Sequence, residues 1–173
     1  MTDAPKPGGH APGLRPLPAA LLVGAVMGAS GLLGMRNAPA PVHPAIDRWY
    51  HKLRKPPFTP PDPVFGAVWP VLETGMAVGG YRLLRASPSG PRTAALGLWL
   101  GTTAMIGGWT EIFFRRRELG ASTVAAVAMT GASAAYVATA ARVDRPAAWA
   151  AVPLTLWLGF ASLLADGIRR RNG

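Results

Sequence analysis

Residues 49–70, "WYHKLRKPPFTPPDPVFGAVWP", place aromatic rings, three basic residues and a run of prolines (Pro56, Pro57, Pro60, Pro61, Pro63) at the entrance to an apolar segment. Rings in such a place can cover a flat apolar partner, while Lys52, Arg54 and Lys55 can meet carboxylates or lipid headgroups. Aromatic and basic residues beside an apolar segment also form an ordinary interfacial anchor. One turn past Trp69 stands Glu73. An ionisable group in an apolar span is a functional candidate, because leaving it unpaired costs a few kcal/mol. Glu73 could reach a cavity and meet a cationic or hydrogen-bonding ligand group, or pair with an arginine. A structural ion pair, or a neutral carboxylic acid bonded to a backbone carbonyl, would account for it equally. Phe65 and Trp69, Trp109 and Phe113, and Trp157 and Ala161 are each four residues apart, so each pair shares a helix face. A small alanine one turn from a tryptophan leaves room for a planar ligand. No catalytic constellation is visible. His10, His43 and His51 fall at no ligand spacing, and no acidic pair flanks a nucleophile. With no cysteine in the chain, a disulfide, a thiolate metal site and a cysteine nucleophile are excluded.

The elements that carry these residues follow from where the charges lie. Half of the 173 residues are hydrophobic and 15% are charged, fewer than the roughly 25% of soluble domains. No charge falls between Arg15 and Arg36, Arg92 and Glu111, Glu118 and Arg142, or Arg145 and Asp166, windows of 20, 18, 23 and 20 residues. About 20 apolar residues in a helix cross a hydrocarbon core about 30 Å thick. A fifth window, 63–81, has the length but contains Glu73. The chain therefore reads as an all-α integral membrane protein, a five-transmembrane-helix bundle, with helices over about 16–35, 63–84, 93–114, 119–141 and 147–168. Residues 36–62 form the long loop, and a Pro/Gly-rich tail over 1–15 is expected to be disordered. A cleaved signal peptide would also fit the first window, but 20 uncharged residues are long for one. The net charge of +10 sits in short loops rather than in a nucleic-acid-binding patch. Eleven Lys and Arg on the side of the long loop and C-terminus, against seven opposite, place that side in the cytoplasm. The alanine- and arginine-rich composition points to a bacterial cell membrane. Short connections predict helices two to five as antiparallel neighbours. Of the glycine pairs at four-residue spacing (24/28, 75/79, 97/101), Gly97 and Gly101 are the best candidates for a dimer face, with intramolecular packing as the alternative.

Three stretches, 49–77, "GGWTEIFF" (107–114) and "VPLTLWLGFASLLA" (152–165), together resemble the signature of the TspO/MBR family, the tryptophan-rich sensory proteins and mitochondrial translocator proteins. The likeness runs over residues 18–172. It implies a five-helix bundle, often dimeric, that binds tetrapyrroles such as protoporphyrin IX, or other hydrophobic small molecules, in a pocket covered by loop 36–62. Prolines would stiffen such a lid at low entropic cost. By resemblance Tyr50, Phe58, Pro60, Phe65 and Trp69 line or cover the pocket, Trp109, Thr110 and Phe113 do so from the third helix, and Trp157 and Ala161 from the fifth. Ile106 stands where the family has an asparagine, Glu111 where it has a proline, Leu154 where it has a tyrosine and Ala165 where it has an asparagine. These departures remove hydrogen-bonding groups from the pocket end. "VGGYRLLR" (78–85) fits only the loose sterol pattern.

The resemblance implies tetrapyrrole binding and sensing first, with no obligatory cofactor and no metal. Second is light- and oxygen-dependent porphyrin breakdown, in which Trp69 and Trp157 would be the oxidisable rings and the chemistry would belong mainly to the macrocycle. Third is carriage of porphyrin or lipid across the membrane. A structural membrane subunit without ligand is the remaining class.

Overall fold

Proline opens most of the helices, at the one place where its missing N–H and fixed φ do no harm. In the computed structural model, which describes residues 12–173, it stands in the first turn of α1 (Pro16–Asn37), α2 (Pro44–Lys52), α3 (Asp62–Arg85), α4 (Gly90–Thr110) and α6 (Arg145–Asn172). Helix α5 (Leu119–Ala140) lacks it. Two helices begin on a side-chain cap: Ser89 accepts from the Arg92 N–H, and Asp144 from the Ala147 N–H. The last carbonyls of α3 are satisfied by Arg92, whose guanidinium donates to Leu83 O (2.7 Å) and Leu84 O (3.0 Å), and by the Leu14 N–H (2.9 Å to Leu84 O).

Helix α4 does not stop at Thr110 but widens into a π turn over Glu111–Arg115. The Arg116 N–H donates to Glu111 O, five residues back, at 2.9 Å, and the side chains of the same two residues pair at 3.5 Å. Arg117 then turns the chain with φ of 60°, the left-handed cap geometry.

Around the bundle, α1 packs on α4, α4 on α5, α5 on α6, α6 on α3, and α3 on α1, which closes the ring. The core between them is formed by Leu72, Met76, Leu83, Trp99, Tyr136, Leu154 and Leu158, each at most 5% exposed. Helices α3 and α4, joined by a short turn, make the smaller contact, because α1 fills most of the space between them. They meet where the Trp99 ring lies against Gly80 and its Nε1–H donates to Met76 O at 2.9 Å. Sequence proximity had suggested they would be full neighbours.

Three other expectations change. Residues 1–11 of the tail, with His10, lie outside the described residues, but 12–15 are docked: Gly13 sits against the backbone of Arg85 and Ala86 too closely to admit a Cβ. The long loop contains the nine-residue helix α2. The glycine pairs divide by face. A Cβ at Gly75 would strike Ala150 O of α6, and one at Gly79 would meet Ala147 O of α6 as well as the Tyr136 hydroxyl of α5, so this pair serves the α3–α6 crossing. Gly24, Gly28, Gly97 and Gly101 have nothing within 4 Å and face outward.

Of the five long helices, α1, α5 and α6 are long and apolar enough by composition to cross a membrane. Helices α3 and α4 have 24 and 21 residues, but charged groups in α3 and the Gly/Thr content of α4 make them less apolar. Outward side chains such as Leu17, Leu21, Leu32, Val124, Leu156 and Leu163, all at least 65% exposed, suit a lipid surrounding.

The glycine division is testable by thermal unfolding in detergent. Gly75→Ala is expected to destabilise the bundle by about 1–3 kcal/mol, the usual cost of overpacking. Gly24→Ala should be neutral or stabilising by up to about 1 kcal/mol. Equal effects would contradict the assignment of faces.

Candidate ligand-binding site

At the end of the bundle where α1, α4 and α6 finish and α3 and α5 begin, aromatic side chains from five segments converge. The π turn brings Trp109 and Phe113 into a parallel stack, with ring centroids 4.7 Å apart and 15° between planes, and sets Phe114 edge-on to both, at 5.9 and 4.8 Å. The Trp109 indole is anchored on its far side, donating to Ser122 O at 2.8 Å. From α2, Trp49 meets Phe113 edge-on at 5.7 Å and Tyr50 meets Phe114 at 5.5 Å. From α3, Phe65 meets Trp157 of α6 at 5.8 Å; Trp157 contacts Phe160 at 5.4 Å, and Phe58 of the loop covers Phe160 at 6.3 Å. Edge-to-face pairs of this kind contribute about 0.5–1.5 kcal/mol each beyond area burial. Phe113, Leu164 and Ile168 form the buried floor.

The loop is fastened over this floor by charge as well as by rings. Lys55 Nζ stands 3.6 Å from the Tyr50 ring centroid, and the Arg117 guanidinium lies 5.4 Å from that of Trp49. Burial, with Asp62 adding, pushes the Tyr50 phenol up to about 12, so it stays neutral at physiological pH. His51 bridges α2 to the start of α3: Nε2 is 3.3 Å from Asp62 Oδ2, and Nδ1 is 3.4 Å from Asp47 Oδ1 and 2.8 Å from the Asp47 carbonyl. That carbonyl bond above all, with the Asp47 charge and the Asp62 bond, raises the His51 pKa against the opposing pull of desolvation and, more weakly, of Lys55.

The positions singled out in the sequence divide. Tyr50, Phe58, Phe65, Trp109, Phe113 and Trp157 join the aromatic cluster. Pro60 and Ala161 are half-buried, and the Thr110 hydroxyl turns back to donate to Gly107 O at 2.7 Å. Ile106 and Trp69 pack instead with the central core. Glu73, half-buried beside that core, has no ion pair or hydrogen bond among the described residues. It forms no ion pair with an arginine there, and the arginines gather at the two ends of the bundle. Sequence reading passed over Trp49, Phe114 and Phe160 as site members. Phe160 was detectable, since it lies one turn from Trp157 on α6. Two shallow outer grooves, about 270 Å³ between α1 and α4 and about 300 Å³ on α5–α6, contain none of these positions.

His51 gives the site a pH dependence with a definite sign. Its pKa is raised on folding, so the bridge to Asp47 and Asp62 contributes fully below about 6.5 and is lost as pH rises through the higher folded value. Amide protection of 44–52, corrected for intrinsic exchange, is expected to fall as pH rises above about 6.5. His51→Gln should abolish that trend; an identical trend in the variant would exclude the bridge.

The TspO/MBR family model matches residues 18–171, which covers α1 to α6 and every residue of the site. The chain is also 35% identical to the translocator protein of Ovis aries over 134 residues, 73% of this chain and 79% of that one. It is 34% identical to that of Homo sapiens over 133 residues, 76% and 79% of the two chains. The translocator protein of Bos taurus gives 33% over 133 residues, 73% and 79%. With matches of this extent through all of the long helices, the chain belongs to the TspO/MBR family.

Proposed function

We propose that this protein is a membrane receptor that binds a flat hydrophobic ligand of the tetrapyrrole class between α4, α6 and the lid formed by 44–61. All five long helices span the membrane in this reading. The eleven basic residues around the lid and the C-terminus face the cytoplasm of a bacterial cell, and a second copy packs on the outward Gly97–Gly101 face of α4.

The observation that carries the reading is the ring cluster itself. The rings form two sets, Trp49, Tyr50, Trp109, Phe113 and Phe114 in one and Phe58, Phe65, Trp157 and Phe160 in the other, and both sets pack on the apolar floor of Phe113, Leu164 and Ile168. They offer π-faces to a planar guest that enters by parting them. Lys52, Arg54 and Lys55 stand at the rim, where ligand carboxylates would remain wet. The change of Asn to Ile106 and of Tyr to Leu154 leaves recognition in the bundle resting on stacking and shape rather than on hydrogen bonds. The curated relatives bear the name translocator protein, which suits release of a ligand to either leaflet. The closed lid favours holding over free passage.

Titration of the detergent-purified protein with protoporphyrin IX, followed by tryptophan quenching in the dark, tests this directly. Saturable one-site quenching is expected, weakened about tenfold in Trp157→Phe, which loses ring area inside the cluster, and less in Trp69→Phe. Non-saturable quenching equal in all three proteins would sink the proposal. Glu73 supplies a separate prediction. Glu73→Gln should change affinity several-fold and remove its pH dependence, because an unpartnered carboxylate in a span has no structural task to keep it there. No change in either would take Glu73 out of the site.

A further inference from the structure

The lid is held at its outer edge by something other than its rings. Where the chain passes the final turn of α6, the Arg54 backbone N–H donates to Asn172 Oδ1 at 2.9 Å, and the Arg54 carbonyl accepts from Asn172 Nδ2 at 2.9 Å. One side-chain amide thus satisfies both backbone groups of one loop residue, as a neighbouring strand would. Asn172 is itself steadied, since its Nδ2 also donates to Ile168 O at 2.8 Å. Two residues on, Pro56 is buried although Arg54, Pro57 and Phe58 are exposed. Its ring occupies the space over Gly167, where a Cβ would lie 2.6 Å from Pro56 Cγ. The Arg171 guanidinium donates to Gly167 O at 3.0 Å and closes the far side of this seat.

We infer that Asn172 and Gly167 form a latch on the last two turns of α6 and are positioning residues for the lid, setting how often residues 53–59 lift from the aromatic cluster. Both act on loop backbone or on a proline ring, so neither requires contact with a ligand. The Asn172 bonds are exposed to water and can open without disturbing the core, whereas the ring contacts of Trp49 and Tyr50 hold the inner end of the lid. A change at the extreme end of α6 would therefore alter access to rings as far up the helix as Trp157 and Phe160.

Hydrogen exchange on the full chain in detergent or nanodiscs tests the latch without any ligand, so its outcome is independent of whether tetrapyrroles bind. In Asn172→Ala, amides of 53–59 should exchange about tenfold faster, the effect of losing two hydrogen bonds of ordinary strength, with α3 and α5 unchanged. Asn172→Asp keeps the acceptor for the Arg54 N–H and loses the donor, and should fall between. Gly167→Ala, which evicts Pro56, should speed the same amides with Asn172 intact. Unchanged exchange over 53–59 in Asn172→Ala, or acceleration spread equally over every helix, would overturn the latch.

Discussion

The antiparallel seam between α3 and α6 is the contact on which the rest of the molecule depends. It starts where Arg82 forms a bidentate pair with Asp144 at 2.8 and 3.0 Å. It then runs through Gly79 beside Ala147 and Gly75 beside Ala150, and reaches Phe65 against Trp157. In lipid no hydrophobic force drives helices together, so close backbone approach and interhelical polar contacts must do so. The two glycines supply the approach. Arg82 and the Ala147 N–H together hold the Asp144 carboxyl below the usual carboxylate range, Arg82 being the larger influence, so the pair survives through neutral pH and is lost only in acid. Fixing this register at one end of the bundle fixes which rings face each other at the other.

The aromatic site also depends on a local irregularity in α4. A regular helix through 111–115 would put Phe113 and Phe114 on a different azimuth. The π turn adds a residue to that turn, and such insertions recur at functional sites. Glu111 stands at its first position and pairs with Arg116 at the five-residue spacing a π turn brings into line. Where the resemblance implies a proline, this chain has Glu111, and an ion pair spans the widened turn in place of a missing N–H.

How much of this was legible beforehand can be judged from particular residues. Charge-free windows gave the long helices, because a span excludes charge along its whole length. The i,i+4 pairs Phe65/Trp69 and Trp109/Phe113 were visible as periodicity, yet only Phe65, Trp109 and Phe113 reach the aromatic cluster. Trp69 packs with the central core, since the order of helices round the bundle decides which face of α3 turns inward, and no local pattern announces that order. The nine-residue helix α2 hid among prolines and basic residues too polar to look helical. Asn172 gave no signal at all: its role arises from a contact across 118 residues, and nothing in "RRRNG" marks it. Glu73 was conspicuous in the sequence and stays so in the fold, as a half-buried carboxylate with no partner among the described residues.

The central claim is that residues 53–59 close the aromatic site by resting on α6. The absence of native cysteine allows a clean measurement. A Cβ at Gly167 would lie 3.6 Å from that of Pro56, within the roughly 3.5–4.5 Å that a disulfide requires. With Pro56→Cys and Gly167→Cys combined, oxidation in the membrane should form the bridge rapidly and slow protoporphyrin IX exchange about a hundredfold, and a reducing agent should restore it, since the locked lid cannot lift. Ready cross-linking with ligand exchange unchanged would contradict the account, because the loop would then rest on α6 without guarding the site.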